Sequence, residues 1–114
     1  MTPRRWKTIE SWWALQLGGR RVPVTGRARG DVPDVEHPTY AIEVKAGKCM
    51  SPRLREGMAQ AVAAAVGTRK TPLLCVSHSV PNHRTEQYVV MRLEDFQAWM
   101  GGPAEEVMCP SDQA

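Results

Sequence analysis

The feature that most constrains the fold is the alternation of apolar and polar residues in the stretch Tyr40-Ala-Ile-Glu-Val-Lys45. A period of two is typical of a strand with one buried face. The pattern places Tyr40, Ile42 and Val44 on the inner side of such a strand, and Ala41, Glu43 and Lys45 on the outer side. The sequence therefore predicts a strand that presents an acid and a lysine together.

The residues before this strand predict a β-hairpin. Val32–Val35 is the expected incoming strand, and Glu36-His37-Pro38-Thr39 is the expected turn. A loop with an even number of residues pairs Asp34 with Ala41, which makes Asp34 a diagonal neighbour of Glu43 on one face, about 7–8 Å away. Two such carboxylates can share one divalent cation. An odd-length loop would send Asp34 to the opposite face, and Glu-x-Lys can also be a plain surface ion pair.

Length and composition predict one soluble domain over residues 1–102, followed by a flexible C-terminal tail over residues 103–114. The chain has 114 residues, of which 42% are hydrophobic and 24% charged, as in ordinary globular proteins. It contains no apolar run of membrane-spanning length and no signal-peptide core near its first residue, so we expect a cytoplasmic protein without a membrane partner. Three cysteines, an odd number, fit a reducing compartment.

Positive charge is concentrated in the first 70 residues. They contain 13 Lys/Arg against 6 Asp/Glu, a balance of +7, whereas the remaining residues contain 2 against 6, a balance of −4. This asymmetry is typical of a protein that binds a polyanion, although a solvated basic surface would give the same counts. The candidate contacts are Arg4, Arg5, Arg27, Arg29, Lys48 and Arg53, within a larger group that includes Lys7, Arg20, Arg21, Arg55, Arg69 and Lys70.

The first 24 residues predict a helix and a short strand. Residues 4–17 have an apolar stripe at helical spacing, and Gly18-Gly19 ends the helix. Glu10 stands next to that stripe, so we expect its carboxylate at the rim of the core. A short strand over residues 22–24 and a loop rich in glycine and arginine should follow. The stripe consists of Trp6, Ile9, Trp13 and Leu17.

The second half predicts a helix, two strands and a closing helix. Ser51-Pro52 should begin a helix that runs to about Val66. Its flank of small residues contains Gln60, which could reach into a site or be exposed. Residues 71–79 read as a buried strand, residues 86–92 as another strand, and residues 93–100 as a short helix. A zinc site at Cys75, His78 and His83 is disfavoured because no Cys-x-x-Cys pair accompanies them.

The order of elements and four motifs resemble the PD-(D/E)xK nuclease superfamily. The motifs are Glu10 on the first helix, Pro33-Asp34, Glu43-Val44-Lys45, and Gln60 on the following helix. Within that superfamily the chain is most similar to archaeal-type Holliday junction resolvases and to small phage proteins like them, over about residues 4 to 100. The resemblance implies an α/β, restriction-endonuclease-like fold, in which helices flank a mixed central β-sheet.

The resemblance also implies a chemistry. Asp34, Glu43 and the backbone carbonyl of Val44 would hold Mg²⁺ or Mn²⁺, with Glu10 contributing directly or through water. The metal and Lys45 together would stabilise a hydroxide-like nucleophile and the negative charge of the phosphorane, and Gln60 would orient Lys45 or the water. Asp31 competes with Asp34 as the metal-binding acid.

The implied activity is structure-specific cleavage of DNA, with a four-way junction as the expected substrate. Two opposed cuts require two identical sites, so we expect a homodimer. The material for its interface is the strand at residues 88–91 and the helix at residues 93–100, which carries Phe96 and Trp99. The alternatives are a general nicking or repair nuclease of the same fold, and a non-catalytic nucleic-acid-binding module.

Overall fold

Helices and strands follow one another along the chain in the expected order. The computed structural model describes residues 3–23, 32–47 and 50–102. Its contacts divide the chain into two units, Met1–Gly47 with Gly102–Ala114, and Lys48–Gly101. The described elements are α1 (Pro3–Leu17), β1 (Arg20–Arg21), β2 (Val35–Glu36), β3 (Ala41–Ile42), α2 (Pro52–Ala65), β4 (Leu74–His78), β5 (Glu86–Val90) and α3 (Leu93–Met100).

The α/β class is confirmed at this level of detail. Strands β1, β2 and β3 form one antiparallel sheet in that order, and β4 and β5 form a second antiparallel pair. The described strands thus form two small sheets, and within each sheet all strand pairs are antiparallel. A single mixed sheet was expected.

Helix α1 supplies the apolar face that covers the first sheet. Ile9 and Ala14 are buried, Trp13 packs against this core, and the predicted helix end at Leu17 is confirmed. The chain leaves the helix through Gly18, whose φ of +74° is in the region that favours glycine, and the amide of Gly19 donates to the carbonyl of Ala14 at 2.8 Å.

The hairpin has a different register from the predicted one. Val35 pairs with Ile42 and Glu36 with Ala41, so the predicted pairing of Asp34 with Ala41 is wrong by two residues. The cause lies in the turn. His37 Nδ1 accepts the amide protons of Thr39 (3.0 Å) and Tyr40 (3.3 Å), and its ring stacks on Tyr40. These contacts hold Tyr40 in the loop, and the loop keeps an even length.

The first sheet is also shorter than predicted. β1 lies at Arg20–Arg21, ahead of the predicted strand over residues 22–24, and β2 begins only at Val35. The amide of Val22 still donates to the carbonyl of Asp34 at 2.9 Å, but Pro23 has no amide proton with which to continue the ladder. Val35 and Val44 are buried beneath α1, which confirms the inner face predicted for Val44.

Gly19 lies close to the backbone of β2, and this contact can be tested by substitution. A Cβ at Gly19 would lie 2.6 Å from the carbonyl oxygen of Glu36 and 2.7 Å from Val35 Cγ1, whereas a Cβ at Gly47 would meet nothing within 4 Å. We expect Gly19→Ala to lower the free energy of unfolding by about 1–3 kcal/mol through overpacking. Gly47→Ala, the control, should change it by less than about 0.5 kcal/mol. Urea denaturation measures both, and equal effects would contradict the contact.

In the second unit, α2 lies over β4. The helix begins after Ser51 and ends at Ala65, close to the predicted limits, with Gly67 at a φ of +75° beyond it. A Cβ at Gly57 would lie 2.7 Å from Leu74 Cδ1, so this glycine allows the strand to approach closely, as the small-residue flank predicted. The predicted stripe of Leu54, Met58, Ala61, Val62 and Ala65 is half-buried, and Gln60 and Ala64 are exposed.

Residues 71–79 are less buried than predicted: Pro72 is buried and Val76 is half-buried, but most of the others are exposed. β4 covers only Leu74–His78, and Cys75, Ser77 and His78 are exposed. β5 stops at Val90, two residues earlier than predicted, and α3 spans the predicted Leu93–Met100. The expected tail over residues 103–114 lies outside the described residues. Among the helices that are described, none is both long and apolar enough to cross a membrane.

Candidate functional site

The carboxylate of Asp34 lies against the backbone of the Glu-Val-Lys segment. Asp34 is 6% exposed, and its Oδ2 accepts the amide proton of Val44 at 2.8 Å. The observed β2–β3 pairs are Val35–Ile42 and Glu36–Ala41, and continuation of this register by one residue would put Asp34 opposite Glu43. The two acids differ in exposure, because Asp34 is buried whereas the Glu43 side chain is 60% exposed.

Glu43 and Lys45 form the exposed part of this group. Lys45 Nζ lies 3.6 Å from Glu43 Oε1, and the two side chains are 83% and 60% exposed. They occupy the outer face of the segment, as predicted, while Val44 between them is buried. An ion pair this exposed contributes little to stability, so the pair can exchange partners at little cost.

Glu10 is not at the rim of the core, as the sequence suggested. It is 0% exposed, and its Oε1 accepts the Nε proton of Arg21 at 2.8 Å. The Arg21 side chain is only 14% exposed. The rim prediction is wrong because it counted only the distance of Glu10 from the apolar stripe. Arg21 therefore does not belong to the predicted group of surface cations, because its side chain is directed into the interior.

The described residues hold part of the expected metal-binding set. They contain no group of three His, Cys, Asp or Glu side chains arranged to hold a metal ion, and this covers Cys75, His78 and His83 as well. Three of the expected ligands are oxygen donors that the Asp34–Val44 hydrogen bond brings into one region: the carboxylates of Asp34 and Glu43, and the carbonyl of Val44. Gln60 belongs to the second unit, where it is exposed on α2.

The remaining predicted site residues divide by what the structure describes. Arg53 is exposed in the first turn of α2, which contains no acidic residue. Arg20 forms an ion pair with Glu36 on the surface, so its charge is already balanced. Five other predicted residues, or their side chains, lie outside the described residues: Arg4, Arg5, Arg27, Arg29 and Lys48. The competing acid Asp31 lies outside them as well.

Sequence reasoning overlooked two residues that shape this region. Arg21 was counted as a surface cation, although it is next to Arg20 on a strand. Its partner is Glu10, the single acid of the preceding helix. The adjacency of the two arginines was the available signal, because one of two neighbouring strand residues must point inward. His37 was expected only as one residue of the turn, yet its Nδ1 orders the turn that sets the register.

No family model, curated protein or solved structure matches this chain.

Proposed function

We propose that this protein is a metal-dependent DNA endonuclease with the PD-(D/E)xK arrangement of catalytic residues. The observation that carries the proposal is the hydrogen bond from the Val44 amide to Asp34 Oδ2, at 2.8 Å. It brings the acid of the Pro-Asp motif to the segment that carries Glu43 and Lys45. A buried aspartate that binds the backbone next to an exposed acid–lysine pair has a use in phosphodiester hydrolysis, and a simple surface ion pair does not require it.

Oxygen donors are the ligands that Mg²⁺ and Mn²⁺ prefer, and Asp34, Glu43 and the Val44 carbonyl would hold such an ion. The ion would supply Lewis-acid stabilisation of the phosphoryl oxygens and of hydroxide. The exposed ammonium of Lys45 would bind a non-bridging phosphate oxygen and stabilise the negative charge that develops in the transition state. The Asp34–Val44 bond fixes one carboxylate before substrate arrives, which lowers the cost of organising the site.

DNA is the proposed substrate because cations dominate the first 70 residues, where the balance is +7. Within the described residues, Lys7, Arg53, Arg55, Arg69 and Lys70 are exposed and can contact phosphates. A non-catalytic binding module remains the alternative. In such a module the two acids would weaken DNA binding, since Asp34 and Glu43 would repel the phosphate backbone without a cation between them. We also propose a restriction-endonuclease-like fold, because the order of helices and strands is the one that the resemblance implies.

Within this function we propose a homodimer that resolves four-way junctions. Four apolar side chains of the second unit are more than half exposed: Tyr88 and Val89, which point to opposite faces of β5, and Trp99 and Met100 on α3, at 51%, 65%, 76% and 51%. Phe96 is half-buried. Among the described strands β5 pairs with β4 alone. A second copy related by a two-fold axis would cover exposed apolar side chains such as Val89 and Trp99, and would supply the second active site that paired cuts require.

This arrangement predicts a dimer that depends on Trp99 and Val89. We expect Trp99→Ser combined with Val89→Lys to weaken dimerisation at least about 100-fold, because truncating a central aromatic alone typically costs 2 kcal/mol or more. Val66→Ser, at a valine that is 74% exposed beyond α2, is the control and should leave the dimer intact. Sedimentation equilibrium measures both. A wild-type protein that remains monomeric at high concentration and on DNA, and cuts linear and branched DNA equally, would favour the general nickase.

The experiment for the function itself is cleavage of a four-way junction and of a linear duplex of equal length, with competitor DNA and Mg²⁺ present. We expect paired cuts in the junction and a clear preference for it over the duplex. Cutting without preference retains the nuclease and rejects the resolvase. Tight DNA binding with no cleavage in Mg²⁺ or Mn²⁺ favours the binding module.

A further inference from the structure

We propose that Arg21 is a positioning residue of the candidate site, and that Glu10 acts with it as a buried clamp and not as a ligand of the metal. The clamp is the ion pair between Arg21 Nε and Glu10 Oε1 at 2.8 Å. The catalytic part of this inference, the effect on the metal site, rests on the proposed endonuclease function. Its structural part concerns the placement of Asp34 and can be tested without cleavage.

Glu10 does not fit the role of a metal ligand that the resemblance implies. Its side chain is 0% exposed, and its charge is already balanced by a guanidinium that is 14% exposed. A metal ion that took over this carboxylate would leave the positive charge of Arg21 in the interior without its partner. The desolvation cost of such a charge is large, so the existing pair is the favoured state.

Two backbone contacts connect the clamp to Asp34. Arg21 lies opposite Val35 in the β1–β2 ladder, and the next residue along, Val22, donates its amide proton to the Asp34 carbonyl at 2.9 Å. The backbone of Asp34 is therefore held by β1, and the clamp ties β1 to α1. Asp34 Oδ2 in turn holds the Val44 amide. The clamp thus sets the position of the aspartate through one short strand.

The same strand provides a matched control. Arg20 pairs with Glu36 across β1 and β2, but on the outer side, where the two side chains are 83% and 50% exposed. Arg20→Met and Arg21→Met thus remove the same group from neighbouring positions of one strand. Only the second breaks a buried pair, and buried and exposed pairs differ greatly in what their loss costs.

The first readout is thermal stability. We expect Arg21→Met and Glu10→Gln each to lower Tm by roughly 10 °C or more, and Arg20→Met to change it by less than about 4 °C. The double variant Glu10→Leu/Arg21→Met removes both charges and should recover most of the loss. Should Arg21→Met fail to fold, Arg21→Lys, which keeps a cation but loses the guanidinium geometry, is used in its place.

The second readout is the Val44 amide, which reports on its contact with Asp34. Hydrogen exchange and the amide chemical shift of Val44 are measured well below the Tm of each variant, with the Ala14 amide in α1 as the internal reference, because a general loosening of this unit would affect both amides. We expect Arg21→Met to accelerate Val44 exchange at least about tenfold relative to Ala14, and the double variant to restore most of the protection. An unchanged Val44 amide in Arg21→Met would overturn the positioning role.

The third readout is Mn²⁺ binding to the DNA-free protein by calorimetry. We expect the double variant to bind Mn²⁺ within about threefold of the wild type, and Asp34→Asn to lose most of the binding. A Glu10→Gln variant that keeps its Tm but loses Mn²⁺ affinity would make Glu10 a ligand and reject the clamp. If the wild type binds no Mn²⁺ and cuts no DNA, the proposed function fails, and the Tm and Val44 results still decide the structural part.

Discussion

Asp34→Asn is expected to abolish DNA cleavage in Mg²⁺ and to leave DNA affinity equal to that of the wild type or higher. Asparagine can still accept the Val44 amide proton, because its side-chain oxygen replaces Oδ2 in the bond observed at 2.8 Å. The variant therefore keeps this bond and loses the charge. The loss of a negative charge close to the proposed phosphate position should leave binding unchanged or improve it, while it removes a metal-binding oxygen anion.

Glu43→Gln should behave in the same way, and Lys45→Ala should reduce the cleavage rate by ~10²–10³-fold, as expected when one transition-state donor is removed. Glu36→Gln is the control, since Glu36 is a carboxylate of the same strand region whose partner is Arg20 on the surface. It should cut at close to the wild-type rate. Single-turnover cleavage of labelled DNA measures all four variants. Full activity of Asp34→Asn or Glu43→Gln, with Mg²⁺ as the only added metal, would refute the site.

DNA affinity is expected to fall steeply as salt is raised. Each neutralised phosphate contributes about −0.9 to the slope of log K against log salt, so five to nine contacts give roughly −4 to −8. Between 50 and 200 mM salt the affinity should therefore fall roughly 10²–10⁵-fold. This expectation follows from the balance of +7 over the first 70 residues.

Two arginines of the Gly-rich segment, Arg27 and Arg29, provide the matched test of this slope. Replacement of Arg27 and Arg29 together should flatten the slope by about 2. Replacement of Arg20 should change it little, because Glu36 already balances that charge. Fluorescence anisotropy over a salt series measures each slope. An affinity that does not change between low and physiological salt would mean that the basic residues are a solvated surface with no role in binding.

Local signals in the sequence predicted the helices well. Gly18 and Gly67 mark the ends of α1 and α2, and both have the positive φ that favours glycine. The Ser51-Pro52 pair marks the start of α2, although Ser51 makes no side-chain capping bond there. Such signals act within one turn of a helix, so a single sequence is enough to locate them.

The strands were predicted less well because their limits depend on partners. The register of the hairpin is set by His37, whose ring nitrogen takes two amide protons, and the apolar pattern does not contain that information. β4 reads as a fully buried strand, but the described structure covers it with α2 on one face only, and Cys75 and Ser77 are exposed.

The candidate site shows the same division. The outward direction of Glu43 and Lys45 followed from period two. The expected shared face of Asp34 and Glu43 stays a prediction, since Asp34 is buried while Glu43 is exposed. The pairing of Glu10 with Arg21 could not be derived, since it depends on how α1 packs on β1. Whether a charged residue near an apolar stripe is exposed or buried is decided by the presence of a partner within reach.

The most direct test of the central claim is nicking of supercoiled plasmid by the purified wild-type protein, with Mg²⁺ and then with excess EDTA. We predict relaxed and linear products with Mg²⁺, none with EDTA, and recovery of cleavage when Mg²⁺ is restored in excess. Cleavage that persists in EDTA, or no cleavage with Mg²⁺ or Mn²⁺ by a protein that still binds the plasmid, would contradict the assignment of Asp34, Glu43 and Lys45 to metal-dependent phosphodiester hydrolysis.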